Sequence, residues 1–158
     1  MILTIDLETY SPQDIGKVGV YRYAQDPDFE ILLASVAIDD YRVVLIDTTD
    51  NDNAGLAAVK PLLFDPRFTK RAWNAAFEWW CLSEYFHLTQ QQREDWLDQW
   101  QDSMVHAMYC GLPASLKMAG QALQLPEDKA KMREGVALIR YFCCPCKPTK
   151  TNGGRTRN

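Results

Sequence analysis

The chain opens on Met1-Ile2-Leu3-Thr4-Ile5-Asp6-Leu7-Glu8, a mainly apolar run that ends in two carboxylates one residue apart. Side chains alternate between the two faces of a strand, so this run predicts a strand with Asp6 and Glu8 on one side and Ile5 and Leu7 on the other. Thr9 to Asp14 reads as a turn, because Pro12 fixes its own backbone and disfavours helix at Ser11, and Gly16 and Gly19 predict a loop after it. Phe29 to Ile38 and Arg42 to Ile46 are further apolar runs, the second rich in β-branched residues, with Asp39-Asp40 as the turn between them. Together the three runs predict an antiparallel meander.

The pattern then changes period. After the polar stretch Asp47 to Asn53, residues 54–64 predict a helix bent or begun at Pro61 and closed by Asp65-Pro66. Phe68 to Trp73 predicts a fourth strand that delivers the chain to Asn74. From Ala75 to Phe86, Phe77, Trp80, Cys81 and Tyr85 recur at helical spacing. Further helices are predicted near Gln90 to Gln99, Ser103 to Cys110, Ser115 to Leu125 and Lys129 to Tyr141. Strands first and helices later, with one strand-to-helix crossover, predict an α/β or α+β domain built on a mixed sheet. From Cys143 onward Pro, Lys, Thr, Asn and Gly dominate, so the expected organisation is one domain over 1–142 and a basic, flexible segment over 143–158.

Composition adds bounds. With 158 residues, 47% hydrophobic, the chain is long enough for one domain with a real core. No run approaches the roughly 18 apolar residues of a membrane span, which leads to the expectation of a cytoplasmic protein with no membrane partner. Five cysteines, Cys81, Cys110, Cys143, Cys144 and Cys146, in a chain without a signal peptide argue against a disulfide framework. The net charge of -4 hides a division: residues 1–128 carry 9 Lys/Arg against 20 Asp/Glu, a balance of -11, and residues 129–158 carry 8 against 1, a balance of +7. Such a chain suits divalent cations in its acidic body and a polyanion at its basic end; a solvated tail on an acidic surface is the plainer alternative.

Candidate chemistry follows from spacing. Asn74-Ala75-Ala76-Phe77-Glu78 stands where a helix begins after a strand, a place from which Glu78 can reach a metal held by Asp6 and Glu8. Three oxygen ligands suit magnesium or manganese rather than zinc, and two such ions about 3.5–4 Å apart support phosphodiester cleavage. The alternatives are a solvated strand end at Asp6 and Glu8, and for Glu78 a first-turn acid that favours the helix dipole. Arg140, Lys147, Lys150, Arg155 and Arg157 are candidates for nucleic-acid phosphates, and Tyr141 and Phe142 either stack a base or pack in the core. Zinc at Cys143-Cys144-Pro145-Cys146 needs further ligands, for which Cys81, Cys110, His87 and His106 remain; buried or idle thiols are the favoured reading.

Asp6-x-Glu8 followed by Asn74-x-x-Phe77-acid resembles the first two motifs of the DEDD-type 3′–5′ exonucleases, which have a ribonuclease-H-like fold. Ile5-Asp6-Leu7-Glu8-Thr9-Tyr10-Ser11, Gly19-Val20-Tyr21-Arg22-Tyr23-Ala24, Asp28-Phe29-Glu30-Ile31-Leu32-Leu33 and Tyr141-Phe142 to Asn158 resemble the N-terminal part of bacteriophage and prophage family-A DNA polymerases. The resemblance implies a magnesium- or manganese-dependent proofreading domain in a bacterial or phage-infected host. It would act on a single-stranded DNA 3′ end, beside a polymerase domain. Asp6 would bridge two ions, Glu8 would bind one and position the attacking water, and Glu78 would take the second acidic place, where the family pattern has aspartate. Thr9, Asn74 and Phe77 would contact substrate. Asp102 resembles an acid near a helix start in related exonucleases, and a helix N-cap is its simpler reading. The family's third motif comes after the point where this sequence stops, so the expectation is a C-terminally incomplete fragment with one ion or none and weak or absent nuclease activity. A catalytically defective module that binds DNA or braces the polymerase is the alternative.

Overall fold

The computed structural model describes residues 1–49, 54–126 and 133–157. Its elements run β1 (Ile2–Tyr10), α1 (Ile15–Ala24), β2 (Glu30–Ile38), β3 (Val44–Asp47), α2 (Ala54–Phe64), β4 (Thr69–Ala72), α3 (Ala75–Tyr85), α4 (Gln90–Leu97), β5 (Trp100–Asp102), α5 (Ser103–Tyr109), α6 (Leu116–Ala122) and α7 (Arg133–Phe142). The strands form one sheet in the order β3-β2-β1-β4-β5. β1, β2 and β3 are the antiparallel meander, while β4 runs parallel to β1 and β5 parallel to β4. This is an α/β domain with a mixed sheet.

The two-residue period of β1 decides where the core lies. Leu3, Ile5 and Leu7 are buried and pack with Ala34 and Val36 of β2, Leu56 and Leu63 of α2, Cys81 and Leu82 of α3 and Trp96 of α4. Burying each such β1 side chain contributes about 2 kcal/mol. Thr4 and Asp6, between them, are exposed. The Trp96 indole N–H donates to the Leu63 carbonyl at 2.8 Å, which satisfies the one polar atom that this large buried side chain brings into the core.

Two elements depart from the expectation. Residues 11–14 form the expected bend, but β1 runs on to Tyr10 before it, and α1 stands where a loop is expected after it, with the Asp14 carboxylate accepting from the Gly16 N–H at 3.1 Å as its N-cap. Gly19 kinks α1 at φ 74, ψ 165, a conformation that a side chain would strain, and beyond it Tyr21 meets Trp80 of α3 edge to face at 4.9 Å. Packing on α3 therefore outweighs the low helix propensity of the two glycines. The three-residue β5 shows no period of its own and forms against β4, with Lys70 N–H donating to the Gln99 carbonyl at 2.8 Å. Residues 50–53 of the expected polar stretch and residues 129–132 of the expected last helix lie outside the described residues. Among the described residues no helix is long and apolar enough to cross a membrane.

Lys70 sits opposite Leu3 in the β1–β4 register and is therefore on the core face. It is fully buried, and its ammonium donates to the carbonyls of Asp65 at 2.7 Å and Phe68 at 2.9 Å and to Gln99 Oε1 at 2.6 Å. These bonds tie the end of the α2–β4 connection to the residue before β5. Burial lowers the Lys70 pKa to about 8. Replacing Lys70 by Met keeps the aliphatic stem and orphans the acceptors, so Lys70→Met is expected to destabilise the fold by about 2 kcal/mol in urea denaturation at neutral pH. A neutral or stabilising result would mean that the ammonium is tolerated rather than needed.

Candidate functional site

Asp6 and Glu8 leave β1 on the face opposite the core, Asp6 exposed and Glu8 half-buried. A bulge after Glu8 breaks the alternation, and Thr9 and Tyr10 are both buried. The Thr9 and Tyr23 hydroxyls share a hydrogen bond of 2.9 Å, which pins α1 to β1, and burial pushes the Tyr23 phenol up to about 12.

Glu78 comes to this strand from the first turn of α3 and is only 3% exposed. Burial pushes its carboxyl up to about 8. The charges of Asp6 and Asp102 act in the same direction, while the backbone N–H groups of Glu78 and Leu7 partly offset them. Its Oε2 is buried without a hydrogen-bond partner. A buried acid beside other carboxylates holds its proton at neutral pH unless a cation joins it. Asn74 begins the turn in the left-handed region, φ 66 and ψ 54, where Asn is tolerated better than most residues. Its side chain makes no cap bond, and its carbonyl accepts from Phe77 N–H at 2.9 Å. Phe77 lies half-buried with its ring centroid 6.3 Å from that of Tyr23. Asp102 is the N-cap of α5, and its carboxylate also accepts from the Asn74 and Ala75 N–H groups.

The segment from α7 to Arg157 lies against the Glu8 side of the sheet. The Cys143 thiol donates to Glu8 Oε2 at 3.8 Å. Burial, followed by the Glu8 charge, pushes that thiol up to about 11. Two cavities of about 470 and 460 Å³ meet at Glu8, Ile139 and Cys143; the first extends to Leu33 and Phe142, the second to Thr9 and Phe77. Arg157 closes the far side: its guanidinium donates to both Glu30 oxygens at 2.7 Å and stands 4.2 Å from the Tyr10 ring centroid. Arg157 is thus engaged within the protein. Arg140, Lys147 and Lys150 are exposed, and Arg155 donates to the Asn152 carbonyl at 2.9 Å. Tyr141 and Phe142 are each 52% exposed rather than packed in the core.

The structure therefore brings Asp6, Glu78 and Asp102 into one electrostatic neighbourhood, and Glu8, Thr9 and Phe77 around one cavity. Among the described residues no group of three His, Cys, Asp or Glu side chains is gathered as a metal site. Cys81 is buried, and Cys110, His87 and His106 are exposed. The contacts of Tyr10, Tyr23, Glu30 and Cys143 do not follow from the sequence, because their partners are remote in the chain; 135 positions separate Cys143 from Glu8.

Fold and site define an α/β domain that carries an acidic pair on its central strand and a buried helix carboxyl beside it. No protein-family model matches the sequence. The chain is similar to a DNA polymerase of Bacillus phage SP02, with 44% identity over 156 residues, which are 99% of this chain and 23% of that polymerase. It thus spans less than a quarter of the relative's length.

The raised pKa of Glu78 has a stability consequence with a definite sign. The folded protein keeps a proton that the unfolded chain releases above its ordinary value of 4.5. In metal-free buffer, stability is expected to fall as pH rises from 4.5 to about 8, by up to about 1.4 kcal/mol per pH unit, and to level off above. Glu78→Gln should remove this component. Urea denaturation of both proteins across that range checks it, and a wild-type-to-variant difference that does not change with pH would contradict it.

Proposed function

We propose that this chain is a metal-dependent 3′–5′ exonuclease domain of a phage-type family-A DNA polymerase, with a ribonuclease-H-like fold, acting on a single-stranded DNA 3′ end. The observation that carries the reading is the buried, unpartnered Oε2 of Glu78 beside Asp6. A buried carboxyl oxygen left without a partner costs stability, and a bound cation would offset that cost. The sheet order with three antiparallel and two parallel strands supports the fold, and the similarity to a phage DNA polymerase supports the biological setting.

The donor chemistry suits a hard cation, although among the described residues these side chains are not gathered as a metal site. Asp6, Glu8 and Glu78 offer oxygen only, which matches magnesium or manganese. Bound there, such an ion supplies an acidified water and neutralises charge developing on the scissile phosphate. Asp6 and Glu8 would hold it from β1, and Glu78, once deprotonated, would hold it from α3. Phe77 and Thr9 line the cavity beside Glu8 and bound the space for the terminal nucleotide, with Asn74 at the turn where α3 begins. Arg140, Lys147, Lys150 and Arg155 offer salt-dependent attraction to the DNA backbone, and the exposed Tyr141 and Phe142 offer faces for stacking.

A second reading, a DNA-binding or bracing module without catalysis, is favoured by one observation: the Cys143 thiol occupies Glu8 Oε2. The two separate in one assay. Protein extended beyond Asn158, given Mn²⁺ and a 5′-labelled single-stranded oligonucleotide, is expected to shorten it from the 3′ end, and Asp6→Ala to slow this at least about a thousandfold. DNA retention with no shortened product at any Mn²⁺ concentration would establish the second reading.

A further inference from the structure

Most N-cap side chains serve their own helix. Asp102 serves two. Its Oδ1 accepts from Met104 N–H at 2.8 Å and Val105 N–H at 3.3 Å, in the first turn of α5, and from Asn74 N–H at 3.1 Å. Its Oδ2 accepts from Ala75 N–H at 3.0 Å, at the start of α3. The residue at α3's own N-cap position, Asn74, contributes no side-chain cap bond. The first N–H groups of α3 are therefore satisfied by a carboxylate 28 residues away in the chain.

This placement follows from the sheet. β4 and β5 run parallel, with Ala72 opposite Asp102, so the two strands end side by side and their following helices start together. A single carboxylate at that point fixes the start of α3 relative to β5. Glu78 lies three residues after Ala75, less than one helical turn along α3, so the start of α3 determines where Glu78 meets β1.

We infer that Asp102 is a positioning residue: it holds the Asn74–Ala75 turn and thereby sets the placement of Glu78 against Asp6. Asp102 acts through the four backbone donors at which its oxygens are directed. The consequence for metal binding rests on the nuclease reading; the hold on the turn does not.

Asp102→Asn keeps shape and a good α5 cap but replaces one acceptor oxygen with a donor, and Asp102→Ser keeps an α5 cap while falling short of α3. Two measurements on the whole chain decide the matter. In metal-free protein, amide hydrogen exchange by NMR is expected to quicken about tenfold at residues 74–78 in both variants, with a smaller change in α5. Mn²⁺ titration followed by electron paramagnetic resonance is expected to show about tenfold weaker binding in the folded variants, in the range typical of groups that orient a ligand. A merely structural cap would lower Tm and leave the Mn²⁺ affinity of folded protein unchanged, and that result overturns the inference. Wild-type protein that binds no Mn²⁺ refutes the nuclease reading instead; the exchange data then decide alone, and unchanged exchange at 74–78 overturns the hold on the turn.

Discussion

Along β1 the two-residue alternation of side chains is a constraint that every other part of the domain answers to. β1 is the strand where the sheet changes from antiparallel to parallel pairing, with β2 on one side and β4 on the other. Its inward residues Leu3, Ile5 and Leu7 anchor the core, which in turn fixes Asp6 and Glu8 on the opposite face. A slip of one residue would bury both carboxylates and expose the core residues. The acidic pair is therefore as firmly placed as the hydrophobic core itself. Where the alternation breaks, at the bulge after Glu8, Thr9 and Tyr10 become fasteners: Thr9 bonds Tyr23 in α1, and Tyr10 receives Arg157 from the end of the chain.

Around that strand the protein accumulates negative charge at some cost. Glu78 is buried close enough to Asp6 and Asp102 to feel both, and its own burial outweighs either. Asp102 remains easily accommodated because four backbone N–H groups surround it, two at each of two helix starts. Glu78 has no such compensation at Oε2. The difference separates a carboxylate whose oxygens are both engaged by the fold from a carboxyl with one buried oxygen left unsatisfied. The contact of Cys143 with Glu8 and the clasp of Arg157 on Glu30 and Tyr10 bring the chain's end to the same face, so that the basic segment lies beside the acidic strand end.

How much of this could be read from the sequence differs by element. β1 and α3 are legible because each carries a clear period, β2 as an apolar run and β4 as a short stretch leading to Asn74, and the placing of Asp6 and Glu8 on one face follows from the period alone. Glu78 was legible as a residue in a first helical turn, but its burial was not, since that depends on how α3 lies across the sheet. α1 was hidden by Gly16 and Gly19, whose low helix propensity is overcome by contacts with α3. β5 is too short to show a pattern, and with it went the second role of Asp102, which needs β4 and β5 side by side. The burial of Lys70 does not show in the sequence, because the acceptors that make it tolerable, two carbonyls of the 65–68 turn and Gln99 before β5, are brought together only by the fold. Arg157 read as a nucleic-acid contact, but its partner Glu30 stands 127 positions away.

The central claim is that Glu78, protonated when alone, joins Asp6 around a divalent ion. Proton release on metal binding tests it most directly. Mn²⁺ titrated calorimetrically near pH 7, in buffers of different ionisation enthalpy, should release about one proton per protein in the wild type and close to none in Glu78→Gln. Binding with no proton release, or with the same release in both proteins, would contradict the account.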